Sequence, residues 1–182
     1  MLERIAKFAK DAHGIDLSPG MLEKTRGRGL DVRESSVTAI PFPDASFDVA
    51  CSFKVLAHVP DIQGALREMA RVTRPGGVVL AEFYNPWSLR GLAKHVGPAG
   101  RVSQSRRESD VFTRFDAPWA ARALAPEGTA FESARGVRIV TPAAAFMRIP
   151  GLRGLLRTLE HRLADGPAAI FGGFYVTVFR KA

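Results

Sequence analysis

The chain has 182 residues, 46% of them hydrophobic and 24% charged, which suits one soluble domain with a single sizeable core. Its one cysteine, Cys51, excludes an internal disulfide and a multi-thiolate metal site. No apolar run reaches the roughly 18–20 residues a spanning helix needs, so no membrane segment and a cytoplasmic location are expected. Basic and acidic residues balance over 1–86, so the whole net charge of +8 falls on residues 87–182.

In chain order, Leu2, Ile5 and Phe8 (or Ala9) mark one face of a helix already under way at the first residue. His13–Leu17 reads as a short strand ending in an acid. Ser18-Pro19 starts a helix, the serine as N-cap and the proline in the first turn. That helix carries Met21, Leu22 and Thr25 and stops at Gly27 or Gly29. A strand follows over Leu30–Ser35, turn chemistry over Pro41–Ser46, and an apolar strand over Phe47–Phe53. Pro60-Asp61 opens a helix with Ile62, Ala65, Leu66, Met69 and Ala70 on one face, and Pro75-Gly76-Gly77 ends it. Val78–Tyr84 is a nearly continuous apolar run broken only by Glu82, the pattern of a strand covered on both faces. Residues 96–110 read as a loop, within which Arg101–Arg107 forms a local basic cluster. Phe131–Val140 holds a strand, Thr141-Pro142 caps a short helix, Leu152, Leu155, Leu156, Leu159 and Leu163 form a helical stripe, and Ile170–Phe179 closes as a strand.

This alternation predicts an α/β fold with a mostly parallel, doubly wound sheet. Ligands in such sheets sit beyond the carboxyl ends of the strands, where the winding reverses. Function is therefore sought at Asp16, around Ser35–Val37, at Ser52–His58 and at Glu82–Trp87. Asp16 at a strand end suits a ribose-binding carboxylate and equally a helix-capping one. His58 follows a strand, and its near-neutral pKa class allows general-base work; a packing or capping histidine is the alternative. Tyr84 and Trp87 could line a pocket or serve as core aromatics. Cys51 reads as a small buried hydrophobe. His13, His95 and His161 show no metal-ligand spacing, so no metal is expected.

Three segments occur in order: His13-Gly-Ile-Asp-Leu-Ser-Pro-Gly-Met-Leu22, Ala39-Ile-Pro-Phe-Pro-Asp-Ala-Ser-Phe-Asp-Val49, and Leu66-Arg-Glu-Met-Ala-Arg-Val-Thr-Arg-Pro-Gly-Gly-Val-Val79. Together they resemble class I S-adenosylmethionine-dependent methyltransferases, especially the ubiquinone/menaquinone C-methyltransferase-like group with a methyltransferase type 11 domain. The resemblance is detailed up to about Asn85 and only topological beyond. It implies a Rossmann-like fold with an antiparallel C-terminal strand, S-adenosylmethionine as cofactor and a small-molecule methyl acceptor. Residue by residue, it implies that Asp16 holds the ribose diol and that Leu17 and Met21 pack on the adenine. Ser36 stands where many relatives carry an aspartate toward the adenine amino group, and Val37 offers its backbone N–H to the ring. Phe53 and Lys54 would lie near the methionine portion. On the acceptor side it leaves Tyr84, Asn85 and Trp87, with His58 as candidate base. One domain over 1–182 is expected, with 1–86 as the cofactor-binding part and 87–182 as the substrate-side and C-terminal part.

The chain opens at what matches the middle of the family's first helix, and no glycine precedes Gly14. The family's first strand and its Gly-x-Gly-x-Gly loop are thus expected to be missing, which makes the domain incomplete at its N-terminus. With strands about 4.8 Å apart, that leaves either a gap of roughly 10 Å between His13–Leu17 and Phe47–Phe53 or their direct re-pairing. Two or three lost backbone contacts at about 1–1.5 kcal/mol each imply binding weaker by on the order of 10²–10³-fold. A truncated reading frame, a shortened cofactor-free relative and complementation by another chain are the alternatives. The competing function is a non-catalytic α/β module whose basic C-terminal half binds an acidic partner or, less in keeping with the scattered arginines, nucleic acid. The acceptor, the atom methylated and the oligomeric state are not legible.

Overall fold

The structure is a computed structural model and describes residues 1–88, 112–141, 149 and 151–182. The expected loop at 96–110 with its arginine cluster, and the helix after Thr141, lie outside the described residues.

Helix α1 is a single turn, Leu2–Ile5, shorter than its apolar spacing predicts. Phe8 is 92% exposed and buries nothing, so no packing energy extends the helix past that turn. Strand β1 (His13–Asp16) pairs in parallel with β2 (Asp31–Glu34), with Asp16 opposite Glu34. They are joined by α2 (Pro19–Arg26), which buries Leu22. Ser18 stands at the N-cap of α2, but its hydroxyl makes no cap bond. The Asp16 carboxylate closes this turn instead.

Among the described residues the second sheet has four strands in the order β3–β4–β6–β5: β3 (Phe47–Ser52), β4 (Thr73–Tyr84), β6 (Phe174–Lys181) and β5 (Thr129–Val137). β3 and β4 are parallel, and β6 is antiparallel to both β4 and β5. Three strands therefore run one way and the C-terminal strand alone is reversed, as expected for a Rossmann-like sheet. β1 and β3 share no ladder. Of the two outcomes expected for this pair, separation is the one found. The rings of His13, Phe42 and Phe47 pack against one another between them, with centroids 4.9 to 5.7 Å apart. The expected burial of Cys51 is overturned: among the described residues β3 has a ladder partner on one side only, and the cysteine is exposed.

Helix α3 (Ile62–Val72) supplies the main core face. Its N-cap, Asp61, accepts the Gly64 N–H at 2.8 Å. Gly64 is needed there because a Cβ would stand 2.1 Å from the capping carboxylate. Ala65, Leu66 and Met69 pack with Val79, Ala81 and Phe83 of β4 and Tyr175 and Phe179 of β6. Burying each large side chain contributes about 1.5–3 kcal/mol, so this helix–sheet contact anchors the fold.

The C-terminal half departs further from expectation. A short helix α4 (Pro118–Ala123), not anticipated, starts on a proline. Helix α5 (Leu152–Leu163) buries Leu156, whereas Leu155 and Leu159 are exposed, so its leucine stripe is only partly a core stripe. The last strand begins at Phe174 rather than Ile170 because Pro167–Phe171 forms a 3₁₀ turn. Gly172 then passes so close to Gly136 that a Cβ on it would lie 2.8 Å from the Gly136 Cα. No helix among the described residues is long and apolar enough to cross a membrane.

Candidate functional site

Asp16 ends β1, and its Oδ1 accepts the Ser18 N–H at 2.8 Å. Its backbone carbonyl accepts the Ser35 N–H at 3.2 Å, which ties the end of β2 to the end of β1. One carboxylate oxygen thus does the local turn work, and Oδ2 has no hydrogen-bond partner among the described residues. Beside it Leu17 is 66% exposed and Met21 is 50% exposed. Two large apolar side chains flanking a carboxylate oxygen at a strand end form an amphipathic rim.

Ser36 and Val37 follow β2 on the same side. The Ser36 hydroxyl is engaged with Thr38, at 2.7 Å from its Oγ1 and 3.2 Å from its N–H, while Val37 packs on the core. This turn is held from behind. Glu68 of α3 accepts the Ile40 N–H at 2.8 Å, and Arg71 donates to the carbonyls of Ile40 and Phe42, each at 2.9 Å. Arg71 also grips Glu68 at 2.6 Å, and that hydrogen bond is the main cause holding the Glu68 carboxyl below the ordinary glutamate range. The motif around Glu68 and Arg71 is therefore a latch for the segment carrying Ser36 and Val37.

A second group gathers at the carboxyl ends of β3 and β4. Lys54 lies two residues past β3 with φ 60°, and its backbone N–H donates to Glu82 Oε1 at 3.0 Å. Glu82 is buried, and desolvation pushes its pKa above the ordinary value; the bond from Lys54 and the charges of Lys54 and Arg138 oppose that rise. Phe53, half-buried, precedes Lys54. Tyr84 packs edge-on against His58 (5.8 Å) and Phe174 (5.2 Å), and Phe115 lies 6.1 Å away. His58 is exposed, and its Nδ1 sits 2.9 Å from the Phe112 carbonyl. With Nδ1 donating there, Nε2 is left as the basic nitrogen.

The structure therefore brings Asp16, Leu17, Met21 and the Ser36–Val37 turn together at one end of the small sheet. Phe53, Lys54, His58 and Tyr84 gather at the corresponding end of the larger sheet. Asn85 and Trp87 stand apart from both. Asn85 is buried, its amide donating to the carbonyls of Ile170 (2.6 Å) and Gly172 (2.9 Å) while its oxygen accepts the Trp87 N–H. It braces a wall and turns no polar atom outward. Trp87 is exposed and pairs with Trp119 at 5.9 Å. Arg138 and Phe174 were missed by sequence reasoning because only strand pairing brings them beside Glu82. Glu82 itself was legible as the one charge interrupting an apolar strand.

Comparison with known proteins bears on the fold and on the first half of the chain. Residues 1–81 match the methyltransferase domain family. Over 113 residues the chain is 34% identical to a malonyl-[acyl-carrier protein] O-methyltransferase of Halorhodospira halophila, covering 58% of this chain and 38% of that protein. Over 72 residues it is 46% identical to a demethylmenaquinone methyltransferase of Mycolicibacterium paratuberculosis, covering 39% of this chain and 31% of that one. The chain thus spans well under half the length of these relatives. Among solved structures, an S-adenosylmethionine-dependent methyltransferase from Thermotoga maritima, described as a possible histamine N-methyltransferase, superposes with a TM-score of 0.67 at 20% identity, covering 93% of this chain and 72% of that one. Residues 1–81 are thus similar to the methyltransferase domain family, and the chain shares its fold with a solved S-adenosylmethionine-dependent methyltransferase.

Proposed function

We propose that this chain serves S-adenosylmethionine-dependent methyl transfer to a small-molecule acceptor. The observation that carries the reading is the Asp16 rim. A carboxylate oxygen with no hydrogen-bond partner among the described residues, beside exposed Leu17 and Met21, fits the donor set of a ribose diol and the flat apolar face of a purine. The likeness of residues 1–81 to methyltransferases supports it.

When bound, the cofactor supplies an electrophilic methyl group on a sulfonium. The residues of this chain bind and align. Asp16 accepts from the ribose hydroxyls, Leu17 and Met21 cover the adenine, and Ser36 and Val37 offer a hydroxyl and a backbone N–H at its edge. Phe53 and Lys54 border the methionine end. On the acceptor side, Tyr84 forms part of the wall, Asn85 fixes the turn behind it, and Trp87 lies at the outer margin. His58 takes a proton from the acceptor at Nε2, its Nδ1 being committed to Phe112. Alignment and exclusion of water then supply most of the rate, so no triad or metal is required.

Calorimetric titration with S-adenosylhomocysteine tests this. Saturable binding is expected, weakened at least about tenfold by Asp16→Ala, the cost of charge-assisted hydrogen bonds to a diol. Absence of binding, or equal binding by the variant, contradicts it.

A second reading, a basic module for an acidic partner, draws on α5. Its outer face exposes Arg157 and Arg162 around a shallow hollow that also includes Gly154, Thr158 and His161. A gel shift at physiological salt tests its nucleic-acid form, and no shift removes that form.

A further inference from the structure

The geometry points to a carboxylate-binding site between Lys54 and Arg138, which selects an acceptor carrying an anionic carboxylate on an aromatic or apolar body. It rests on the methyl-transfer reading only in calling the ligand an acceptor.

Lys54 follows β3, Arg138 follows β5, and two strands lie between them. At about 4.8 Å per step their backbones are three strand spacings, roughly 14 Å, apart. Yet both side chains converge on the middle: the Lys54 Nζ lies 5.9 Å and the Arg138 Cζ 5.7 Å from the centroid of the Phe174 ring. Phe174 pairs in register with Tyr84, and Tyr84 shares a face of β4 with Glu82 two residues earlier, so these three side chains stand on one face of the sheet. Two cations thus bracket a face that holds one buried carboxylate.

These cations differ from the ion-paired arginines. Arg71, Arg114, Arg135 and Arg180 each touch a carboxylate at 2.5 to 2.9 Å. Among the described residues neither Lys54 nor Arg138 makes such a contact, and the hydrogen bond to Glu82 comes from the Lys54 backbone, not its ammonium. Both residues also adopt φ near 60°, a region that side-chain-bearing residues occupy sparsely and that persists where a function requires it. With Glu82 ionised the trio keeps one uncompensated positive charge, which a carboxylate neutralises. The aromatic rings of Tyr84 and Phe115 continue the same wall and suit an apolar body behind the anion. Because β5 is the strand farthest from β3, Arg138 reaches this face from the far edge of the sheet.

The test uses the full chain, with 3-phenylpropionate as probe and its neutral amide, 3-phenylpropanamide, as control. The carboxylate should bind saturably in the millimolar range and the amide should not. Arg138→Gln should weaken the carboxylate about tenfold, Arg138→Lys should restore most of it, and neither should change the affinity for S-adenosylhomocysteine. Circular dichroism confirms that each variant is folded, and suppression of carboxylate binding by salt gives a second readout on the unaltered chain. Three results would overturn the assignment: no saturable carboxylate binding, equal binding of the amide, or an Arg138→Gln effect on S-adenosylhomocysteine instead of on the carboxylate. The S-adenosylhomocysteine titration of the unaltered chain alone judges the methyl-transfer reading, so failure of one proposal is not mistaken for failure of the other.

Discussion

Replacing Arg71 with alanine removes the latch behind the Ser36–Val37 turn. The guanidinium makes five hydrogen bonds: two to the carboxylate of Glu68, one to that of Asp44, and one each to the carbonyls of Ile40 and Phe42. The Arg71 carbonyl also accepts the N–H of Ala45, which stands at φ 52° and needs such a tether. Asp44 is highly exposed and its ion pair contributes little. The two carbonyls contribute about 1 kcal/mol each and the Glu68 pair about 1 kcal/mol after allowance for partial exposure, so Arg71→Ala should cost about 3 kcal/mol. With a urea slope of about 2 kcal/mol per molar, the midpoint should fall by about 1.5 M. Lysine should recover less than half of this, because one ammonium cannot span a carboxylate and two carbonyls. The sign with pH is also fixed. The folded pKa of Glu68 is depressed, chiefly by its hydrogen bond from Arg71, so the contribution is complete above the unfolded value and is lost as pH falls through the folded one. The difference between wild type and variant should therefore narrow in acid. A loss below about 1 kcal/mol, or full rescue by lysine, would refute the latch.

Two further outcomes follow from the same geometry. The folded pKa of Glu82 is raised by burial against the opposing charges of Lys54 and Arg138, so the native state holds more protons than the unfolded one between the two values. Stability should fall as pH rises through that window, and Glu82→Gln should flatten the fall, as read from urea midpoints across the acid range. Asn85→Ala should cost about 2–3 kcal/mol, since it strips the carbonyls of Ile170 and Gly172 of a buried donor; a loss within experimental error would show that water replaces the amide.

The first half of the fold was legible because its signals are local. Pro19, Asp61 and Pro75 mark helix boundaries, and the apolar stripe from Ile62 to Ala70 has one interpretation, a helix on a sheet. Asp16 was legible as a strand-end acid, but its double duty was not: which oxygen closes the turn depends on backbone torsions that composition does not reveal. The second half reads poorly because pairing and packing decide it. The break between Phe171 and Phe174 depends on Gly172 and Gly136 meeting across a sheet edge, and the exposure of Leu155 depends on which face of α5 finds the core. Asn85 looked like a pocket residue from its place after β4, and only its buried bonds to the 3₁₀ turn show it to be a brace. Arg138 and Phe174 could not have been joined to Lys54 without the strand order.

The most direct measurement is an amide chemical-shift map of the chain titrated with S-adenosylhomocysteine. Saturable shifts should centre on Asp16, Leu17, Met21, Ser36 and Val37, extend to Phe53 and Lys54, and leave α5 untouched. Shifts confined to the arginine face of α5, or none in the Asp16 rim at saturating ligand, would contradict the claim that this carboxylate holds a nucleoside.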